Sequence, residues 1–129
     1  LCPNVPAQHG IQVALGGKQS IYSLTGEGGR LLNQRNIAHK KLNEIPGVSC
    51  VKPMGALYAF PRLDPNVYEI HDDAKLMLDI LRAEKILLVQ GTGFNWPTTD
   101  HFRLVTLPWA SQLENAIERL GNFLVSYKQ

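Results

Sequence analysis

Apolar residues recur along this chain in two rhythms, one at every third or fourth position and one confined to short continuous or alternating runs. The helical rhythm is clearest near the C-terminus, where Leu113, Ala116, Ile117, Leu120, Phe123, Leu124 and Tyr127 share a face. Ser111-Gln112-Leu113-Glu114 at its start has the form of a capping box. A second helix is expected from Asp72 or Asp73 to Glu84, with one of the two acids as cap and Leu76, Met77, Ile80 and Leu81 as core. A third carries Leu31, Ala38, Leu42 and Ile45, is interrupted by Arg35, and stops at Pro46-Gly47. A fourth opens the chain. Asn4 can cap it, and Pro6 sits in the first turn, where a missing N–H costs nothing. Ala7, Ile11, Ala14 and Leu15 form its apolar face, and Gly16-Gly17 weaken or end it. Residues 20–29 are glycine-rich and read as a connection.

The short runs predict strands at 48–51, 56–60, 86–89 and 102–107. Pro53-Met54-Gly55 is a turn signal between the first two, so these are expected to form an antiparallel hairpin, and Pro61 and Pro65 end the second. Tyr58, in the middle of its strand, is read as core. The pattern favours an α+β fold, a small mixed or antiparallel sheet with helices packed on one face.

A chain of 129 residues suits one domain with a modest core. The net charge is +2, and Glu27 and Glu44 bracket the local group Arg30, Arg35, Lys40 and Lys41. That is a solvated helix face and not the basic stripe a nucleic-acid partner needs. No apolar run approaches membrane-span length, and no signal peptide is visible. The two cysteines, Cys2 and Cys50, lie far apart, which suits idle thiols in a reducing cytoplasm.

The candidate chemistry centres on Arg103, set inside the apolar run Phe102-Arg103-Leu104-Val105-Thr106-Leu107. An unpaired buried charge is costly, and a guanidinium offers a planar fork matched to a carboxylate. Arg103 on the solvated face of its strand is an equal reading from spacing alone. Gly91-Thr92-Gly93-Phe94 follows a strand, where loops carry binding groups on a rigid support. Phe94 could be core, loop cover or substrate-facing, and Trp96 is read as packing.

Other constellations are weaker. His71-Asp72-Asp73 has metal-ligand residue types but the spacing of a helix start, so no metal is expected. Lys18 in GGKQS lacks the first glycine of a phosphate loop, with Gln12 in its place, and is followed by Gln19 where Ser or Thr is required. Gly26-Glu27-Gly28-Gly29 and Gly91-Thr92-Gly93 fall short of a dinucleotide fingerprint. His9, His39 and His101 accompany no nucleophile word.

VQGTGFNW (89–96) followed by HFRLVTLP (101–108) resembles the C-terminal signature of the fold-type I pyridoxal-phosphate aminotransferases, V-P-G-S-x-F-G and then R-[IL]-[ST]. GVSCVKPMGALYAFPRLD (47–64) resembles that family's P-x-G-A-x-Y-x-F strand, and LCPNVPAQHGIQ (1–12) its segment joining two domains. The wording is nearest to the bacterial alanine-synthesising (glutamate–pyruvate) members. Gln90 and Asn95 stand where many members carry Pro and Gly.

The resemblance implies that residues 1–20 end the large cofactor domain and that 21–129 form the small C-terminal domain. It implies amino transfer between an amino acid, alanine or glutamate, and a 2-oxo acid in a homodimer. Arg103 would bind the substrate α-carboxylate beside Gly91, Thr92 and Phe94, and residues 1–7 would approach the neighbouring subunit's site. The family word S-K-x-x-x-x-x-G-x-R, which holds the Schiff-base lysine, does not occur here. The chain begins with Leu1, so it is expected to be the C-terminal piece of a longer enzyme, inactive and without cofactor by itself. Two alternatives remain at this point: a free-standing α+β module that binds a small carboxylate or regulates, and a structural domain with Arg103 on its surface.

Overall fold

The computed structural model describes residues 2–129; Leu1, the first residue of the segment expected near a neighbouring subunit, lies outside them. The elements in order are α1 (Val5–Gly16), α2 (Ile21–Thr25), α3 (Arg30–Glu44), β1 (Val48–Ser49), β2 (Tyr58–Ala59), β3 (Arg62–Leu63), α4 (Asp73–Glu84), β4 (Val89–Gln90), a 3-10 turn (Gly91–Phe94), β5 (Phe102–Val105) and α5 (Ala110–Ser126). The architecture is α+β with small antiparallel sheets.

Strand β5 is central, with β2 on one side and β4 on the other, both antiparallel. Its side chains alternate, as pleating requires. Phe102 and Leu104 are buried and join Ala59, Leu63 and the helices in one core. Arg103 and Val105 point the other way, on the same face as Val89 and Tyr58, to which they pair directly. Helices cover the first face. The second face stays open.

The expected hairpin does not form. β1 pairs with β3, Val48 opposite Leu63, and β2 pairs with β5, Tyr58 opposite Val105. The turn around Pro53-Met54-Gly55 is a local signal, but the apolar faces of these strands find distant partners. Beyond β2 the chain keeps following β5: Phe102 N–H donates to Pro61 O at 3.2 Å, Arg62 bridges His101, and Leu63 N–H donates to Asp100 O at 2.7 Å. Pro61 has no N–H for the ladder, so one edge is divided into β2 and β3. Tyr58 is not core, for it stands on the open face and is 48% exposed.

Helices α3, α4 and α5 match the apolar rhythm with three adjustments, one of them Leu81 of α4, expected in the core but 36% exposed. On α5, Leu113, Ile117, Leu120 and Leu124 are buried, but the helix begins at Ala110, a turn ahead of the end of the expected capping box. Gln112 Oε1 accepts from Trp109 N–H at 3.1 Å and satisfies one of the free N–H groups at that end. On α3 the buried stripe is Gln34, Ala38 and Leu42. Gln34 fills the break in the stripe between Leu31 and Ala38, and its amide donates to the carbonyls of Leu107 (3.2 Å) and Pro108 (2.6 Å). Buried polar groups are kept where they answer otherwise unpaired backbone. Lys41 on α3 lies 3.0 Å from both Glu114 and Glu118 of α5, tying the two helices at the rim.

Asn4 caps α1 as expected, its Oδ1 accepting from Ala7 N–H at 3.1 Å. Yet neither α1 nor α2 has a buried residue. The expected apolar face Ala7, Ile11, Ala14 and Leu15 stands in solvent, with Ile11 55% and Leu15 69% exposed. The stretch at 20–29, expected to be only a connection, contains α2. Cys50 is buried, and burial pushes its thiol pKa up, which favours the unreactive protonated form. Among the described residues no helix is long and apolar enough to cross a membrane.

Candidate functional site

Three residues meet on the open face of the sheet. Arg103, half-buried at the centre of β5, is flanked by two rings, with its guanidinium carbon 4.6 Å from the centroid of Tyr58 and 4.5 Å from that of Phe94. Such contacts stabilise a cation by roughly 0.5–1 kcal/mol at exposed sites. The rings also remove water from the stem of the side chain. Arg103 Nε is buried and has no hydrogen-bond partner among the described residues. Surface arginines are ordinarily hydrated; a desolvated guanidinium N–H with no acceptor is costly until one arrives. The group is positioned to take an anion with a planar pair of oxygens.

Phe94 reaches Arg103 through the 3-10 turn that begins at Gly91, and this turn is anchored at both ends. Gly91 is buried, and its N–H donates to His101 O at 2.9 Å, closing the turn onto the start of β5. Asn95 adopts a left-handed conformation with φ 58°, and its N–H returns to Thr92 O at 3.0 Å. Asparagine tolerates that region better than most residues. The expected site residues Arg103, Phe94, Gly91 and Thr92 therefore lie in one place. Arg103 and Phe94 touch, Gly91 fixes where the turn starts, and Thr92, itself exposed, hydrogen-bonds back to α4.

Sequence reasoning missed two members. Tyr58 supplies the second ring; reading its strand as core hid that. Asp73 holds Thr92, accepting from Thr92 N–H at 3.0 Å and from its hydroxyl at 2.8 Å. The ambiguous pair Asp72-Asp73 thus divides its work. Asp72 caps α4, accepting from Lys75 N–H at 2.9 Å, while Asp73 crosses to the turn. A second acid beside a sufficient cap was the available signal.

Below the turn, Trp96 packs edge-on against Phe60 at 5.3 Å and tilted against His101 at 4.5 Å, and His101 stacks on Phe60 at 4.9 Å. Trp96 thus packs, as expected. Asp100 carries the polar side of this cluster. Burial pushes its carboxyl pKa up, but hydrogen bonds from Thr98, Arg62 (2.9 Å) and His101 (2.8 Å) outweigh that and hold it well below the usual carboxylate range. A depressed carboxylate pKa stabilises the fold fully above the ordinary value of 3.8, and this contribution is lost as pH falls below it. Asp100→Asn is therefore expected to unfold more easily than the parent in urea at neutral pH, with the gap closing on acidification. An unchanged gap at about pH 2, where the unfolded carboxylate is protonated, would remove Asp100 ionisation as its source.

An arginine set between two rings beside a hydrogen-bonded turn can receive a planar anion such as a carboxylate. The chain belongs to the aminotransferase class I and II family, whose model matches residues 5–120. It is 75% identical over its whole length to alanine aminotransferase of Mycobacterium tuberculosis (strain H37Rv), covering 30% of that protein. It is 58% identical to glutamate-pyruvate aminotransferase AlaA of Escherichia coli (strain K12), again over the whole chain and 32% of the relative. An aminotransferase crystal structure from Escherichia coli superposes with a TM-score of 0.91 at 58% identity, over 99% of this chain and 32% of that one. Alanine aminotransferase from Pyrococcus furiosus gives 0.81 at 38% identity, over 98% and 31%. The chain thus spans about 30% of the length of the curated relatives it matches.

Proposed function

We propose that this chain is the substrate-carboxylate portion of a longer, cytoplasmic, homodimeric aminotransferase that passes an amino group between alanine or glutamate and a 2-oxo acid. In this reading, residues 1–20 end the large domain and residues 21–129 form the small one. The observation that carries the proposal is Arg103, ring-flanked and with its buried Nε unpartnered. A bidentate carboxylate would pair with the terminal nitrogens of this guanidinium and hold the substrate's α-carbon in one orientation. Phe94 and Tyr58 would exclude water around the pair, and Gly91 and Thr92 would fix the turn that brings Phe94 there. The bare apolar face of α1 supports the division into domains, because a helix of that pattern ordinarily packs against something.

The aminotransferase word S-K-x-x-x-x-x-G-x-R, which would carry the cofactor's lysine, does not occur in the 129 residues. Lys18 is exposed, and Lys41 and Lys75 are each engaged by carboxylates. Pyridoxal phosphate and the lysine that holds it are therefore assigned to the remainder of the longer protein. When bound, the cofactor supplies the electron sink for bond changes at the substrate α-carbon.

The test is amino transfer from L-alanine to 2-oxoglutarate by the longer protein, with the 129-residue chain alone in parallel. The longer protein is expected to transfer only when loaded with pyridoxal phosphate. The chain alone, given the same cofactor, is expected to show no transfer and no stoichiometric visible band that one lysine substitution abolishes. Loaded long protein without transfer would overturn the proposal and favour a carboxylate-binding module that uses the same arginine.

A further inference from the structure

Asp73 is 3% exposed, and both of its hydrogen bonds go to one residue, Thr92. It lies in the first turn of α4, where the helix N-terminus favours a negative charge. The capping work there is done by Asp72, so α4 does not need Asp73 to begin. Burying a carboxylate costs free energy unless its acceptor sites are met, and Thr92 meets them with its backbone N–H and its hydroxyl. The result is a two-point clamp. It joins α4, which packs on α5 and β4, to the 3-10 turn two residues before Phe94. Phe94 in turn is one of the two rings against Arg103.

We propose that Asp73 is a positioning residue for the carboxylate site, acting through Thr92 to hold Phe94 against Arg103; the inference rests on the reading of Arg103 given above. Rotation of the turn by even one side-chain width removes a wall from the guanidinium, lets water reach it, and weakens its hold on a carboxylate. The clamp does not touch the reacting atoms, so groups that attack the cofactor without using Arg103 should not feel it.

The test uses the longer protein loaded with pyridoxal phosphate, well below its unfolding temperature. Bleaching of the cofactor's visible band is followed in single turnover with L-alanine, which carries a carboxylate, and with hydroxylamine, which does not. Asp73→Ala removes both acceptors from Thr92 and is expected to lower reactivity with alanine about tenfold or more, within the range a misplaced positioning group costs. Reactivity with hydroxylamine should stay within about twofold, since that reagent has no carboxylate for Arg103 to bind. Amide exchange across residues 91–95 should accelerate. Thr92→Val removes the hydroxyl at nearly constant volume and should show the same selective loss, and Thr92→Ser should restore it; this pair decides the matter if Asp73→Ala does not fold. Unchanged reactivity with alanine, or equal losses with both reagents, would overturn the proposal. Arg103→Ala run alongside separates the two ideas. If it leaves the alanine-to-hydroxylamine ratio unchanged, the reading of Arg103 fails. If it changes the ratio while the clamp variants do not, only the role of Asp73 fails.

Discussion

Arg103→Ala in the full-length enzyme is expected to lower kcat/KM for alanine by about two orders of magnitude or more. The substrate carboxylate would lose a charge-assisted pair of hydrogen bonds at about 1.5–3 kcal/mol each, and about 1.4 kcal/mol corresponds to a factor of ten. Arg103→Lys keeps the charge and loses the planar fork, so a smaller loss of roughly one to two orders is expected. The fold should lose no more than the ring contacts supply, and less in Arg103→Lys, which keeps a cation beside the rings. Arg103 has no ion pair to break among the described residues, and its two ring contacts contribute roughly 0.5–1 kcal/mol each. The cofactor's visible spectrum should also be nearly unaltered, because Arg103 is assigned to the substrate. Steady-state kinetics with the spectrum as control measure all of this. If Arg103→Ala stays within about threefold of the parent, far less than a charged partner contributes, the arginine is a surface residue and the assignment falls.

Gly91→Ala should damage both stability and activity. A Cβ at this position would lie 2.8 Å from the carbonyl oxygen of His101 and 3.1 Å from its Cβ. The first of these is backbone, so no rotamer change relieves the contact; either the turn or the start of β5 must move. The same shift strains the Gly91 N–H bond to His101 O. Overpacking of this kind costs about 1–3 kcal/mol. Since the turn carries Phe94, kcat/KM should fall as well, by about tenfold for a displacement approaching an ångström. Gly93→Ala is the control, because its Cβ would meet only the Gln90 side chain, at an ordinary 3.5 Å. Its stability should remain within about 0.5 kcal/mol of the parent. Urea denaturation of the two variants decides the point: equal midpoints would mean that the close approach at Gly91 relaxes freely.

Features written in local sequence were legible. The apolar stripe of α5, the Asn4 and Asp72 caps, and the stop at Pro46-Gly47 each depend on neighbours within a turn or two. Arg103 and the Gly91–Phe94 turn were legible through residue type and through resemblance. What failed was long-range. The turn at Pro53-Met54-Gly55 suggested a hairpin, but strand partners are chosen by matching faces across the whole chain, and β1 and β2 each found another. Tyr58 was misplaced for the same reason, since which face of a strand is covered depends on where the helices settle. Gln34 and Asp73 look like surface residues by type. Their burial is set by carbonyls 73 and 74 residues away for the first and by an amide and hydroxyl 19 residues away for the second.

The two-sided character of β5 constrains how this segment can change over generations. Phe102 and Leu104 serve the core while Arg103 and Val105 face outward, so folding and chemistry are interleaved one residue apart. Point substitutions can alter either set with the other left standing. Loss or gain of a single residue ahead of the strand, between 97 and 101, would have to be absorbed there, because a slip of one position would turn the guanidinium inward and a phenyl ring toward the open face. Length variation in such a lineage should therefore collect elsewhere, in exposed connections such as residues 51–56, whose backbone answers to no strand.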